Sequence, residues 1–179
     1  YLIVNERQQN MTMTGKKLRY DAAVDPALDG AVDESCHRYS LRVHYEDTDA
    51  GGIIYHVQYL AFAERARSAL LRCLGINQPA MLAAENLGFV VRRIEIDFLL
   101  PSGLGTVLEV KSRLLRLGGA SLTLQQNIMN RENGHILARL VVDIGLVQFR
   151  NGNPPKICRL PAAITVSNTH QTLPTKREV

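Results

Sequence analysis

Residues 45–67 read YEDTDAGGIIYHVQYLAFAERAR and join an acidic loop directly to an amphipathic segment. The first part, residues 46–52, is dense in acidic and turn-forming residues, which predicts a loop. From residue 57 onward, apolar residues recur at helical spacing, and the pattern continues to residue 74. The chain is therefore organised around a loop that leads straight into a long helix.

The predicted helix at residues 57–74 carries one apolar stripe, with polar side chains on its other side. Gly75 follows it and is a typical C-terminal stop. Two alanines lie at the centre of the stripe, so a sheet or another helix can approach closely there. The stripe consists of Tyr59, Phe62, Ala63, Ala66, Leu70 and Leu74.

Strand patterns lie on both sides of the long helix. Alternating residues predict one strand before the loop, at 39–45, and a shorter helix opened by proline at 79–86. Because tight turns join the later strands, we expect an antiparallel meander. The helix and the sheet must each bury an apolar face, which favours an α+β domain with a curved antiparallel sheet wrapped around the central helix. The later strands are predicted at 89–100, 106–117, 121–130 and 136–149.

Composition predicts the limits of this domain. Residues 1–35 are polar and lack periodicity, so we expect a weakly ordered N-terminal extension. The domain itself is predicted at 36–164, and a C-terminal tail at 165–179. No window reaches the roughly 18 consecutive apolar residues of a membrane-spanning helix, and the N-terminus does not resemble a signal peptide. We therefore expect a cytoplasmic protein with no integral membrane segment.

Charge and motif content exclude several classes of function. The 179-residue chain has a formal net charge of +4, too small to indicate nucleic-acid binding. Its three cysteines, Cys36, Cys73 and Cys158, are widely spaced and fit neither a disulfide framework nor a metal motif. The acidic and histidine residues around the loop also match no metal-binding spacing. Since no dinucleotide, phosphate-loop or serine-hydrolase motif is present, we expect no metal and no cofactor.

The junction between loop and helix contains what acyl transfer to water requires. A helix start presents free backbone N–H groups and a partial positive charge, which can hold a developing oxyanion. Gly51 and Gly52 allow backbone to approach a ligand closely. Asp49, on the same loop, is the candidate nucleophile or base. From the residues alone, Asp49 could equally cap a turn or the helix.

The junction closely resembles the hydroxybenzoyl-CoA thioesterase branch of the hot-dog superfamily. The similarity is carried by residues 45–67, continues through FVVRRIEIDFLLP at 89–101, and covers about residues 35–149. Within that branch the sequence is most similar to the acyl-CoA thioesterases associated with the Tol-Pal system. The resemblance implies a hot-dog fold and hydrolysis of acyl-CoA to free acid and CoA. It also implies dimers, usually paired into tetramers, with active sites at subunit interfaces.

The family pattern gives roles to residues that this sequence matches. It places the catalytic aspartate at the second Asp of DTD, Asp49, and the amide that polarises the thioester carbonyl near His56. Tyr45 matches a third position of the pattern. Residues of the loop are candidate substrate contacts. Basic residues of the strands are further candidates, because their positive charge suits the CoA phosphates. These candidates are Gly51, Gly52, Tyr55, Arg92 and Arg116, with Arg93 and Arg113 as further cations.

Several alternatives stay open at this point. Asp49 acts either as a nucleophile or as a general base. A non-catalytic scaffold that binds acyl-CoA or an acyl carrier would use the same pocket. A hot-dog dehydratase would instead rely on a carboxylate of the helix, and Glu64 is the candidate, although an ion pair with a neighbouring arginine is the simpler interpretation. Asp47 is expected to cap the loop. The positive charge of the core also makes an acidic acyl carrier protein a candidate partner.

Overall fold

A computed structural model describes residues 24–33, 36–161 and 164 of the chain. Within them, one seven-stranded antiparallel sheet has the strand order β1-β2-β4-β5-β6-β3, and β7 also pairs with β6. The helices are α1 (Pro26–Asp29), α2 (Gln58–Cys73) and α3 (Gln78–Glu85). The strands are β1 (Ala31–Asp33), β2 (Cys36–Arg42), β3 (Leu87–Phe98), β4 (Val107–Leu117), β5 (Ser121–Asn130), β6 (Ile136–Arg150) and β7 (Asn153–Ile157).

Helix α2 lies against the sheet and forms the centre of the core, as the α+β prediction expected. Its stripe residues Phe62, Ala63 and Ala66 are all 0% exposed. The helix contacts β1, β2, β4 and β5, so its small central residues lie against several strands at once. Gly75 has a φ of +75°, a left-handed conformation that glycine adopts without strain, and it follows the helix as predicted.

The predicted meander is correct only for β4, β5 and β6. Strand β3 does not pair with β4. It pairs with β6 along its length, and β4 pairs with β2. The eight residues between β3 and β4, residues 99–106, make backbone hydrogen bonds elsewhere: the amide of Leu99 donates to the carbonyl of Leu137, and that of Gly105 to Val43. This segment is therefore not a hairpin turn. It is a crossing connection from β3, at one edge of the sheet, to β4, which is separated from β3 by β5 and β6.

The strand that precedes the acidic loop begins and ends earlier than predicted. It was expected at 39–45, but β2 spans Cys36–Arg42, and Tyr45 begins a 3₁₀ turn, Tyr45–Asp47. The backbone amide of Thr48 donates to the carbonyl of Tyr45 over 3.2 Å, which closes the turn. Tyr45 is 82% exposed in the single chain, so it is not a core residue there.

Part of the predicted N-terminal extension contributes to the domain. Of residues 1–35, the described residues 24–33 form α1 and β1, and β1 pairs with β2. At the other end, β7 pairs with β6 and Ile164 belongs to the core. Residues 1–23 and the predicted tail at 165–179 lie outside the described residues. None of the helices in the described part of the chain has the length and apolar content to span a bilayer.

A buried cluster connects α1 to β2 and α2. His37 is 1% exposed, and its Nε2 lies 2.7 Å from the carbonyl oxygen of Asp29. The Asp29 carboxylate accepts from Arg72 Nε at 2.6 Å and from the amide of Asp25 at 3.1 Å. Burial lowers the pKa of His37. Burial alone would raise the pKa of Asp29, but the Asp25 amide and the Arg72 guanidinium hold it below its ordinary value.

We expect the free energy of unfolding to fall as the pH is lowered from about 7 to about 5. The folded chain holds the pKa of His37 below its ordinary value of 6.5, so protons bind the unfolded chain preferentially in this range. The contribution of Asp29 is lost only at lower pH, as the pH falls below 3.8 and through the folded-state pKa. Urea unfolding at a series of pH values measures the effect. His37→Gln, which can still donate to the Asp29 carbonyl, should flatten the upper part of the curve; an unchanged slope would contradict this assignment.

Candidate active site

The loop that carries Asp49 is a tight turn held by its own backbone. The amide of Asp49 donates to the carbonyl of Ile53 at 2.9 Å, and the amide of Gly52 donates to the carbonyl of Asp49 at 3.0 Å. The Gly51 amide donates to Asp49 Oδ1 at 2.8 Å, which orients the carboxylate. A Cβ on Gly51 would lie 3.1 Å from that oxygen, so a larger residue there would require the Asp49 carboxylate to shift by a few tenths of an ångström.

A second backbone segment supports the loop from the side. The amide of Ile54 donates to the carbonyl of Ser102 at 2.8 Å, and Ile53 pairs with Gly103. A Cβ on Gly103 would lie 2.9 Å from the carbonyl oxygen of Gly52, so only glycine allows this approach. The crossing connection between β3 and β4 is therefore part of the site's framework. The prediction that a tight turn joins these two strands missed this role.

Asp47 fixes the loop from inside, as its predicted capping role requires. Its side chain is buried, and Oδ2 accepts from the amide of His44 at 2.8 Å. Its carbonyl oxygen accepts from the amide of Tyr55 at 2.8 Å, so one residue ties the 3₁₀ turn to the approach of α2. The other carboxylate oxygen, Oδ1, is buried and has no hydrogen-bond partner within the described residues.

The start of α2 offers free donors close to the Asp49 turn. In the described part of the chain, the backbone amides of His56 and Val57 donate to no protein acceptor, whereas the amide of Gln58 donates to the carbonyl of Tyr55. The His56 ring makes edge contacts with Tyr55, at 4.6 Å between ring centroids, and with Phe98, at 6.2 Å. These aromatic contacts hold the ring at the mouth of the site. Asp49 and His56 are both exposed in the single chain.

The predicted site residues fall into two groups. Tyr45, Gly51, Gly52 and Tyr55 lie in the same turn region as Asp49 and His56. Arg92 and Arg116 do not. Arg92 lies at the β-bulge of β3, and Arg116 lies roughly 30 Å along β4 from the strand end nearest the loop. The guanidinium of Arg116 contacts Asp143 at 3.5 Å and Thr123 at 3.1 Å. Within one chain, neither arginine lies beside Asp49.

A buried polar network under α2 was not predicted from the sequence. Arg67 on α2 is 6% exposed and donates from Nη1 to Gln126 Oε1 at 2.7 Å. Gln126 Nε2 donates to the Ala63 carbonyl at 3.1 Å and to Ser112 Oγ at 3.0 Å. Arg67 also forms an ion pair with Glu64, which confirms the simpler interpretation of Glu64. No three His, Cys, Asp or Glu side chains within the described residues converge in a metal-binding arrangement.

Comparison with known proteins defines the class. Residues 51–136 match the model of the thioesterase superfamily. The acyl-CoA thioester hydrolase YbgC of Escherichia coli is 44% identical over 102 residues, which cover 57% of this chain and 75% of that protein. The acyl-CoA thioesterase YbgC of Haemophilus influenzae is 36% identical over 116 residues, covering 65% and 84%. The chain belongs to the thioesterase superfamily.

Solved structures agree with this membership and with the predicted hot-dog fold. A probable thioesterase from Bartonella henselae is 37% identical and superposes with a TM-score of 0.63, covering 71% of this chain and all of that one. A 1,4-dihydroxy-2-naphthoyl-CoA thioesterase from Synechocystis superposes with a TM-score of 0.68 over 74% of this chain and 94% of that one, at 20% identity. The second likeness concerns the fold alone.

The geometry of Asp47 leads to a stability prediction. Asp47→Ala removes the acceptor for the His44 amide, so we expect the free energy of unfolding to fall by about 0.5–2 kcal/mol. Asp47→Asn keeps an acceptor and should remain close to the parent chain. Urea denaturation measures both, with Glu46→Ala on the exposed face of the same turn as the control. Equal losses for Asp47→Ala and Glu46→Ala would remove the capping role.

Proposed function

We propose that this chain hydrolyses acyl-CoA thioesters to the free acid and CoA, with Asp49 as the catalytic carboxylate. The observation that carries the proposal is the orientation of Asp49 Oδ1 by the Gly51 amide, in a turn that leads within a few residues to the free amides of α2. Relatives at 36–44% identity bear the name acyl-CoA thioesterase or acyl-CoA thioester hydrolase, which supports the choice of substrate class.

In this mechanism the thioester oxygen binds at the amides of His56 and Val57. The partial positive charge of a helix start stabilises the negative charge that develops on this oxygen. One oxygen of Asp49 accepts from Gly51, and the second is left to act. It either attacks the carbonyl carbon or takes a proton from water that attacks it. The carbon–sulfur bond then breaks, CoA leaves as the thiolate, and water supplies the oxygen of the free acid.

The main alternative is a scaffold that binds acyl-CoA without cleaving it. A dehydratase based on Glu64 has less support, since the Glu64 carboxylate is already paired with Arg67. Tyr45 and Tyr55 are proposed to contact substrate from the rim of the turn. Arg92 and Arg116 are proposed to bind CoA phosphates only where a second subunit brings them to the site.

We further propose that the active unit is a homo-oligomer. Strand β3 spans 12 residues, and within the described residues only β6 pairs with it, so one edge is open. Long open edges pair readily with other strands. Phe98, at the end of β3, contacts the His56 ring, so a copy paired along β3 would lie beside the site. The resemblance in sequence further supports a dimer of dimers.

The cellular setting of the proposal rests on the same resemblance. It comprises a cytoplasmic location, an association with the Tol-Pal system and an acyl carrier protein as a partner. The chain's formal net charge of +4 suits an acidic partner of this kind. An association of this type should weaken as salt screens the charges, with the binding constant falling steadily between low and physiological ionic strength.

Replacing Asp49 by Asn tests the enzyme proposal directly. We expect release of free thiol from acyl-CoAs, offered from acetyl to palmitoyl and as benzoyl, to collapse while the unfolding curve stays unchanged, because the amide cannot act as a nucleophile or base. Glu46→Gln removes a neighbouring exposed carboxylate and should keep its turnover. An Asp49→Asn chain within about twofold of the parent rate would reject Asp49 as the catalytic group. Binding of acyl-CoA without thiol release by the parent would favour the scaffold.

The oligomer is tested by placing a charge on each edge of the sheet in turn. Val91→Lys on β3 should shift the mass measured by light scattering toward a single chain, because two copies would bring like charges together. Val32→Lys on β1 is the matched control, since β1 is only three residues long, and its mass should not change. A parent protein that is monomeric at all concentrations tested would contradict this part of the proposal.

A further inference from the structure

The Asp49 turn is held from outside by one short stretch of the crossing connection. Residues 53 and 54 form the second arm of the turn, and the Asp49 amide in the first arm donates to the carbonyl of Ile53. On the outer side, the Ile54 amide donates to the carbonyl of Ser102 at 2.8 Å, and Ile53 bridges to Gly103. Since an isolated pair of arms is marginally stable in water, this outer pairing stabilises the arm that follows Asp49.

The far end of the same stretch is bonded to the core. The amide of Val43 donates to the carbonyl of Thr106 at 2.9 Å, and the amide of Gly105 donates to the carbonyl of Val43 at 3.0 Å. Val43 is 1% exposed and belongs to the hydrophobic core. Ser102 is therefore bonded to the Asp49 turn, whereas Thr106 is bonded to a fixed part of the core.

A side-chain hydrogen bond joins these two ends directly. Ser102 Oγ donates to Thr106 Oγ1 at 3.0 Å, and both residues are half-buried. The backbone bond beside it, from the Thr106 amide to the carbonyl of Gly103, is longer at 3.3 Å. The two hydroxyls thus close the loop at residues 102–106, so that the end bonded to the Asp49 turn is tied to the end anchored in the core.

The closed loop also determines how near the connection lies to the Asp49 turn. A Cβ on Gly103 would lie 2.9 Å from the carbonyl oxygen of Gly52, so the two backbones are in close contact. The Gly52 amide donates to the carbonyl of Asp49 at 3.0 Å, and the Gly51 amide donates to Asp49 Oδ1 at 2.8 Å. A movement of the loop at Gly103 is therefore passed through neighbouring backbone groups to the Asp49 carboxylate.

We propose that Ser102 and Thr106 are positioning residues for Asp49, because the hydrogen bond between their hydroxyls keeps the Asp49 turn at a fixed place relative to the free amides at the start of α2. This role rests on the proposed hydrolysis of acyl-CoA, in which the carboxylate and these amides act on one thioester carbonyl. Each hydroxyl acts through the backbone of the turn and needs no contact with substrate. Since a misplacement of about 1 Å can lower a rate by about a hundredfold, a looser turn should lower kcat and leave KM nearly unchanged.

Steady-state thiol release by the full chain, with acyl-CoAs that the parent hydrolyses, tests this role. Ser102→Ala and Thr106→Val each remove the bond and should lower kcat about five- to tenfold, with KM within about twofold of the parent. The double variant should lose no more than either single variant, because both remove the same bond. Thr106→Ser keeps a hydroxyl and should retain the parent's kcat. Asn133→Ala, which loses a side-chain hydrogen bond to the His135 amide in the turn between β5 and β6, should change neither constant.

Amide hydrogen exchange provides a readout that does not depend on turnover. In Ser102→Ala and in Thr106→Val, the Ile54 amide followed by NMR should exchange about fivefold faster, which corresponds to the loss of one net hydrogen bond. Amides in the middle of α2 should exchange as in the parent. Gly103→Ala displaces the turn by a steric clash and should lower kcat at least as much. Gly119→Ala is its control, since a Cβ there would meet nothing within 4 Å.

Three results would overturn this role. The first is that kcat and Ile54 exchange are both unchanged in Ser102→Ala and Thr106→Val. The second is faster exchange with unchanged kcat, which would show that the position of the turn does not limit the chemistry. The third is a raised KM at constant kcat, or a Thr106→Ser chain as slow as Thr106→Val. A parent that releases no thiol would reject the proposed function and this role with it, whereas an active parent with unaffected variants would reject this role alone.

Discussion

The close contact between α2 and the sheet is the constraint on which the rest of this structure depends. At its centre, the helix presents Ala63 and Ala66 beside Phe62, so that backbone approaches the strands closely while one large ring fills the space between them. Burial of this stripe fixes the axis of α2. The axis in turn fixes where the free amides of His56 and Val57 lie relative to the Asp49 turn. The site's precision therefore depends on packing that is remote from its chemistry.

A second interaction locks the rotation of α2 about its axis. Arg67 is a charged residue on the buried side of the helix, and a buried charge is tolerated only with partners. Gln126, on the central strand β5, provides one of them. Its Oε1 accepts from Arg67, and its Nε2 donates to the Ala63 carbonyl and to Ser112 Oγ. A directional network of this kind permits one register of helix on sheet, whereas apolar packing alone would allow small rotations.

The sequence allowed the local elements to be predicted, but not the long-range pairings. The periodicity of α2 and the turn chemistry around Asp49 are local properties, and both agree with the structure. The pairing of β3 with β6 depends on the crossing connection at residues 99–106. This connection is held by backbone hydrogen bonds to the Asp49 loop, and the spacing of apolar residues does not predict such bonds. Arg67 was missed because a charged residue in a helix is usually exposed, and only the polar Gln126 in an apolar strand gave a hint. Burial of Asp29 was missed because its partners, His37 and Arg72, are distant in sequence.

The candidate active site is exposed to solvent in the single chain, and this exposure is unfavourable for its chemistry. Preorganised donors and carboxylates are effective where water is excluded, because the local dielectric constant is then low. Yet Asp49 is exposed, and large apolar side chains surround its turn without cover, including Tyr45, Ile53 and Phe98. The open edge of β3 ends at this same rim. A second copy paired along β3 would bury apolar surface, satisfy the edge and exclude water from Asp49 in a single step. One association would thus meet three separate requirements of the single chain, which is the strongest structural reason to expect the proposed oligomer.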